Sequence, residues 1–289
     1  MAMESTLRHS MNKLSALWVV GAMLLMTAQA QAGPWVRDAG EGYLKLGGSS
    51  FVGDQYYRAG VPTELESKAS SLSVYGEVGL GHALQLVMYL PYQVASNETG
   101  GGVRYVNHTL GDLRLQVDTK LTDAFPLALS LEAKVPLYEV VSEQELTGEQ
   151  EAWRTNFPDV GDGNLDLTLK LQAGASLGWL GGWVTGVLGY TKRLGRYIDS
   201  LYFAGQVGVW IWEDHIRASF YGQGNRNLGT DAFPEILASR ESVSLEGTVA
   251  VTGIPMWPEL DVMVSWGEVV YARYGSKGSV ASVAIARAW

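Results

Sequence analysis

The sequence predicts an all-β fold: a transmembrane, antiparallel up-and-down β-barrel of about 12 strands, preceded by a cleaved signal peptide. Three observations predict it. Hydrophobic residues recur with a period of two over long runs, short and long connections alternate along the chain, and the last strand ends on an aromatic residue.

Residues 111–137 (GDLRLQVDTKLTDAFPLALSLEAKVPL) show the repeating unit. Leu113, Leu115, Val117 and Leu121 share one face, with Arg114, Gln116, Asp118 and Lys120 on the other. A Pro-containing turn over 122–126 follows. Then Leu127, Leu129, Leu131, Ala133, Val135 and Leu137 alternate with Ser130, Glu132 and Lys134. A period of two means extended strands, and a short turn between two such runs means a hairpin. Each strand reaches roughly ten residues, longer than the usual five or six and close to what a tilted strand needs to cross a bilayer. One face is aliphatic and the other carries charges of both signs, which suits lipid outside and water or polar side chains inside.

The bulk composition of the 289 residues agrees: 47% are hydrophobic, 35 are Gly, and 24 are Trp or Tyr. Beyond the N-terminus no apolar run is long enough for a transmembrane helix. Alternation hides strand hydrophobicity from any such window. The absence of Cys removes disulfides, thiolate metal sites, Cys nucleophiles and a lipoprotein anchor. A net charge of −9 argues against nucleic acid as partner, because phosphate binding requires a basic field.

Along the chain, residues 1–32 read as a signal peptide. Lys13 supplies the positive end, 14–27 (LSALWVVGAMLLMT) the apolar core, and Ala30-Gln31-Ala32 a small-x-small cleavage site. Residues 33–289 then form one outer-membrane barrel domain. Strands are predicted at 41–52, 69–80, 84–95, 109–121, 127–138, 163–176, 182–194, 200–212, 215–225, 240–253, 259–271 and 278–289. The connections at 81–83, 122–126, 177–181, 213–214 and 254–258 are short. Those at 53–68, 96–108, 139–162, 226–239 and 272–277 are mostly longer and polar, with 195–199 a short exception. Outer-membrane barrels divide their connections in this way, short turns in the periplasm and long loops outside. Trp179, Trp183, Trp212 and Trp257 stand beside short turns, and Tyr92, Tyr138 and Tyr271 near the long loops, as two interfacial belts require. In the last strand Ala281, Val283 and Ile285 share the face of Trp289, with Arg287 placed to reach the headgroups. A strand closing on an aromatic resembles the signal read by the barrel assembly machinery. A soluble β-sandwich or lipocalin-like barrel is the alternative, with its aliphatic face turned inward.

One strand opens on Gly111-Asp112-Leu113 and another on Gly161-Asp162-Gly163-Asn164-Leu165, each followed by a long alternating run, and GYLKLG stands near the mature N-terminus. On these residues the chain resembles the Gram-negative barrels grouped as transporters of the phenol meta-degradation pathway. The resemblance implies an outer-membrane location and passage of small, hydrophobic or aromatic solutes. It implies no catalytic residues.

Alternation assigns to the lumen Lys45, Arg114, Lys120, Lys134, Lys170 and Arg217, with Glu77, Asp118, Glu132, Asp166, Glu246 and Asp261. These charges read either as a selective constriction or as a salt-bridge network that fills a narrow barrel. The balance of signs argues against a strong single-sign field. Arg114 and Arg217 are the candidates for solute contact, since a guanidinium binds carboxylates bidentately. The acidic loop 139–162, with Glu139, Glu143, Glu145, Glu149 and Glu151, reads as a solvated loop, a constriction, or a divalent-cation contact with lipopolysaccharide. Asp159, Asp162, Asn164 and Asp166 lack the spacing and bidentate Glu of a Ca²⁺ loop. After the leader the histidines are His82, His108 and His215, at turns or in a loop, with no Ser and amide orienter placed for lipid hydrolysis. Residues 33–40 are too short for a lumen plug of tens of residues. No cofactor or metal is implied. The expected function is therefore a channel for small solutes in outer-membrane lipid and lipopolysaccharide, the alternative a non-conducting structural or surface-interaction barrel.

Overall fold

The computed structural model describes residues 33–58, 60–63, 65–138, 157–158, 160–194, 197–212, 215–229, 241–254, 257–273 and 275–289. The expected signal peptide, the five loop glutamates and Asp159 lie outside the described residues. The segments are β1 (Gly42–Arg58), β2 (Val61–Thr63), β3 (Leu65–Gly81), β4 (Leu84–Thr99), β5 (Arg104–Leu110), β6 (Asp112–Lys120) and β7 (Leu127–Pro136). There follow β8 (Asp166–Leu177), β9 (Gly182–Arg193), β10 (Ser200–Trp212), β11 (Ile216–Asn227), β12 (Ser242–Ile254), β13 (Trp257–Ala272) and β14 (Gly275–Ala288).

Neighbours in sequence pair antiparallel throughout, and β14 returns to β1, so the sheet closes on itself. The wall has 12 strands, because β2 only extends the β1 hairpin and β5 and β6 are two lengths of one strand. Both pair with β4, and the break falls where Gly111 N–H donates to the Pro91 carbonyl at 2.8 Å. Proline gives no N–H to the ladder, so the strand jogs beside it. A Cβ on Gly111 would lie 2.9 Å from both Pro91 and Gln93. The seam between β1 and β14 is finished by reciprocal backbone bonds between Gly42 and Trp289 of 3.0 and 3.1 Å. The Trp289 ring lies where a Gly42 side chain would stand.

Hydrophobic side chains point out. Along β8, Leu167, Leu169 and Leu171 are 39%, 50% and 48% exposed, whereas Asp166, Thr168, Lys170 and Gln172 are 6% or less. This inverts a soluble barrel and rules out the lipocalin-like alternative, because so continuous an aliphatic wall is stable only against lipid. Inter-strand spacing and a tilt near 40° give a backbone diameter of about 24 Å. Side chains from facing walls therefore nearly meet.

Two expected long loops are strand instead. β1 runs on to Arg58 with β3 starting at Leu65, and β4 continues to Thr99 with β5 starting at Arg104. Pairs such as Lys68↔Ser96 and Glu98↔Arg104 lie beyond the hydrophobic band, where both faces are polar. Backbone pairing continues there, but the apolar alternation that betrays a strand has ended. The outer edge of β5 projects above β7, and Asn107 Nδ2 donates to the Pro158 carbonyl across it at 3.1 Å.

Candidate functional site

Inward positions of β6 to β9 build a charged wall. At its long-loop end, Lys134 Nζ lies 2.6 Å from both Asp162 and Asp166, and Arg193 bonds the same two carboxylates. Asn164 Nδ2 donates to Asp166 at 2.6 Å, so the Gly161–Leu165 stretch is tied to the wall. One turn of the ladder lower, Lys170 Nζ reaches Glu132 at 2.7 Å and the Gln116 amide oxygen at 2.9 Å. Gln116 donates to Asp118, which also accepts from Gln85 and Gln172. Beyond β9, the inward positions of β10 to β12 at this level present neutral polar groups instead, Tyr202, Gln223, Asn225, Ser242 and Ser244. The two walls enclose a cavity of about 260 Å³ at the long-loop end. Its one guanidinium with no ion pair or hydrogen bond among the described residues belongs to Arg114.

The opposite mouth is crossed by the N-terminal segment. Pro34 is fully buried, and Pro34 and Trp35 fill the space over Gly174 of β8. The backbone of Arg37 and Asp38 lies over Gly79 of β3, where a Cβ would come 1.9 Å from the Asp38 carbonyl oxygen. Arg37 donates through Nε to Glu77 at 2.6 Å and through its backbone N–H to Gln85 at 2.9 Å, and its guanidinium covers Tyr43 at 5.3 Å. β3 and β8 are separated by β4, β6 and β7 in the wall. Residues 34–38 thus span a chord of the lumen. The expectation that this segment is too short to occupy the lumen is corrected: in so narrow a barrel, a few extended residues reach across.

Of the other residues assigned to the lumen, Lys45 is 1% exposed and sits over the Tyr75 ring at 5.5 Å. Glu246 accepts from Thr248 at 3.2 Å, and Arg217 is held by Asp261 at 2.8 Å. Lys120 departs from the rest. It stands exposed at the rim, paired with Asp123 in the turn, because β6 ends there and the side chain has water to reach. That ammonium holds the Asp123 carboxyl below the usual carboxylate range.

The aromatic belts also need correction. Trp183 points inward over Gly208 and packs against Trp210 with ring centres 6.4 Å apart, and Tyr138 is bonded to Asp112 at 2.9 Å. Trp212, Tyr92 and Tyr271 do stand exposed on the outside. The sequence reading missed Arg193, Gln85, Tyr202 and Arg37. The first three continue the inward alternation of their strands; Arg37 precedes any strand and left no periodic signal. His82 and His108 are exposed, His215 packs on Trp212, and none of the three lines the cavity.

The same fold occurs in solved outer-membrane barrels. The chain superposes on an outer membrane channel from Pseudomonas putida F1 with a TM-score of 0.65, at 12% identity over 91% of this chain and 100% of that one. It superposes on the translocator domain of the autotransporter NalP from Neisseria meningitidis with a TM-score of 0.51, at 10% identity over 98% and 97%. At such identities the likeness establishes a fold. No family model matches the chain, and no curated protein matches it in sequence.

Proposed function

We propose that this protein is an outer-membrane channel for the passage of small solutes. The observation that carries the reading is the pairing of an aliphatic exterior with a hydrated-type interior, a charged cavity of about 260 Å³ opening toward the long loops. A barrel that served only as a scaffold would have no need to keep that volume. The superposable P. putida protein is itself an outer membrane channel, which supports the reading. The phenol-pathway resemblance points to hydrophobic or aromatic solutes; the lining of this cavity favours polar ones. In this reading the strand ending on Trp289 is what the assembly machinery recognises, and outer-membrane lipid with lipopolysaccharide surrounds the wall.

A second reading, a non-conducting barrel, draws on the segment 34–38 across the short-turn mouth and on the paired charges above it. Single-channel recording of refolded 33–289 in a planar bilayer separates the two, once the heat-modifiable gel shift shows folded barrel. Stable conductance steps are expected. Folded protein without steps at any voltage would retire the channel and leave the sealed barrel.

A further inference from the structure

Opposite charges in the cavity are matched, with one exception. Lys134 and Arg193 share Asp162 and Asp166, and Lys170 takes Glu132. This leaves Arg114, a half-buried side chain with surface on the cavity. Among the described residues its guanidinium makes no hydrogen bond or ion pair. Glu132 and Asp112 lie near enough to feel its charge. Glu132 is engaged by Lys170, while Asp112 accepts from the Tyr138 hydroxyl and does not line the cavity.

A guanidinium carries five donors in a planar fork, and here none of them has a protein acceptor among the described residues. Its natural complement is a carboxylate, bound by two parallel N–H···O bonds. The facing wall supplies Tyr202, Gln223 and Ser244, neutral groups able to meet the uncharged remainder of a small molecule. A second anionic group would find the remaining cations already paired.

We propose that Arg114 is the carboxylate subsite of the cavity and that the preferred solute is a small organic monocarboxylate. This deepens the channel reading and rests on it for the word solute, but binding at the subsite is measurable in a barrel that does not conduct. The probe is benzoate, titrated calorimetrically into the detergent-folded mature chain, with benzamide as the neutral isostere. One benzoate site is expected, with no comparable heat from benzamide. Arg114→Gln should weaken benzoate tenfold or more, since the charged fork is lost. Arg114→Lys should recover part of the affinity, and Lys68→Gln, remote on the rim, should change nothing. Absence of a benzoate site in the folded barrel overturns the proposal, as does binding that Arg114→Gln leaves intact. Binding that emerges only after the five glutamates of the 139–151 stretch are replaced by Gln also overturns it, because the chain's own carboxylates would then be the occupants. Conductance is recorded on the same preparation: benzoate binding without conductance ends the channel reading and keeps the subsite, and conductance without benzoate binding does the reverse.

Discussion

Gly79 shows how much one absent side chain can decide. The backbone of Arg37 and Asp38 passes where its Cβ would be, so the lumen crossing depends on glycine at this point of β3. Gly79→Val is expected to push residues 34–38 off the wall and raise single-channel conductance severalfold, with the gel shift of a folded barrel retained. An unchanged conductance in folded protein would mean that the segment does not limit flow. Lys170 illustrates the opposite case, a residue whose presence is needed by others. Lys170→Met strands the Glu132 carboxylate and one acceptor of Gln116, and should lower unfolding stability in urea by about 2–4 kcal/mol. Adding Glu132→Gln should recover part of that loss, because the penalty is an unpaired charge rather than lost packing. Full additivity of the two changes would contradict this account.

At the scale of elements, the β9–β10 hairpin is fastened on the outside by Asp199. Its carboxylate accepts from the Tyr190 hydroxyl at 2.5 Å, the Lys192 ammonium at 3.0 Å and the Arg193 N–H at 3.0 Å. The Tyr190 hydrogen bond leads in holding this carboxyl down to about 2 from the ordinary 3.8. A depressed carboxyl stabilises the fold above its unfolded pKa, and the contribution disappears as pH falls through the folded value. Asp199→Asn should therefore speed amide exchange at Arg193 at neutral pH, by less than about 1 kcal/mol at so exposed a site. The difference from wild type should fade between about pH 4 and pH 2. A difference that persisted at pH 2 would assign the effect to shape rather than charge. The extension of β1, β3, β4 and β5 past the hydrophobic band belongs to this scale too. Apolar alternation found each of these strands and missed their upper lengths, because there the backbone ladder and polar side-chain bonds such as Ser67 to Asn97 maintain the strand.

For the whole molecule, the reversal of inside and outside is the feature on which everything else depends. Leu169→Arg, on the outer face, should cost about 2–4 kcal/mol in lipid, while Gln206→Arg on the lumen face should cost far less. Equal costs in refolding titrations from lipid vesicles would undo the transmembrane assignment. Closure at the β1–β14 seam is likewise global, since it joins the first and last strands of the chain. Most of the site was legible one strand at a time: Lys45, Asp118, Glu132, Lys134, Asp166 and Lys170 are buried or nearly so where alternation put them. Lys120 was misjudged because alternation says which face a residue takes and not how far along the barrel axis it sits.

The sequence by itself determined the strand order, the number of wall strands and which side of each strand meets lipid, because those follow from the two-residue period and from where turns interrupt it. Tertiary structure alone decided which charged side chains pair. Arg193 meets Asp162 and Asp166, Arg37 meets Glu77, and Arg114 meets none of the described carboxylates. These outcomes depend on the register of neighbouring strands and on the path of the N-terminal segment over β3. A one-dimensional pattern carries the face of each residue; only closure of the sheet sets its height and its opposite number.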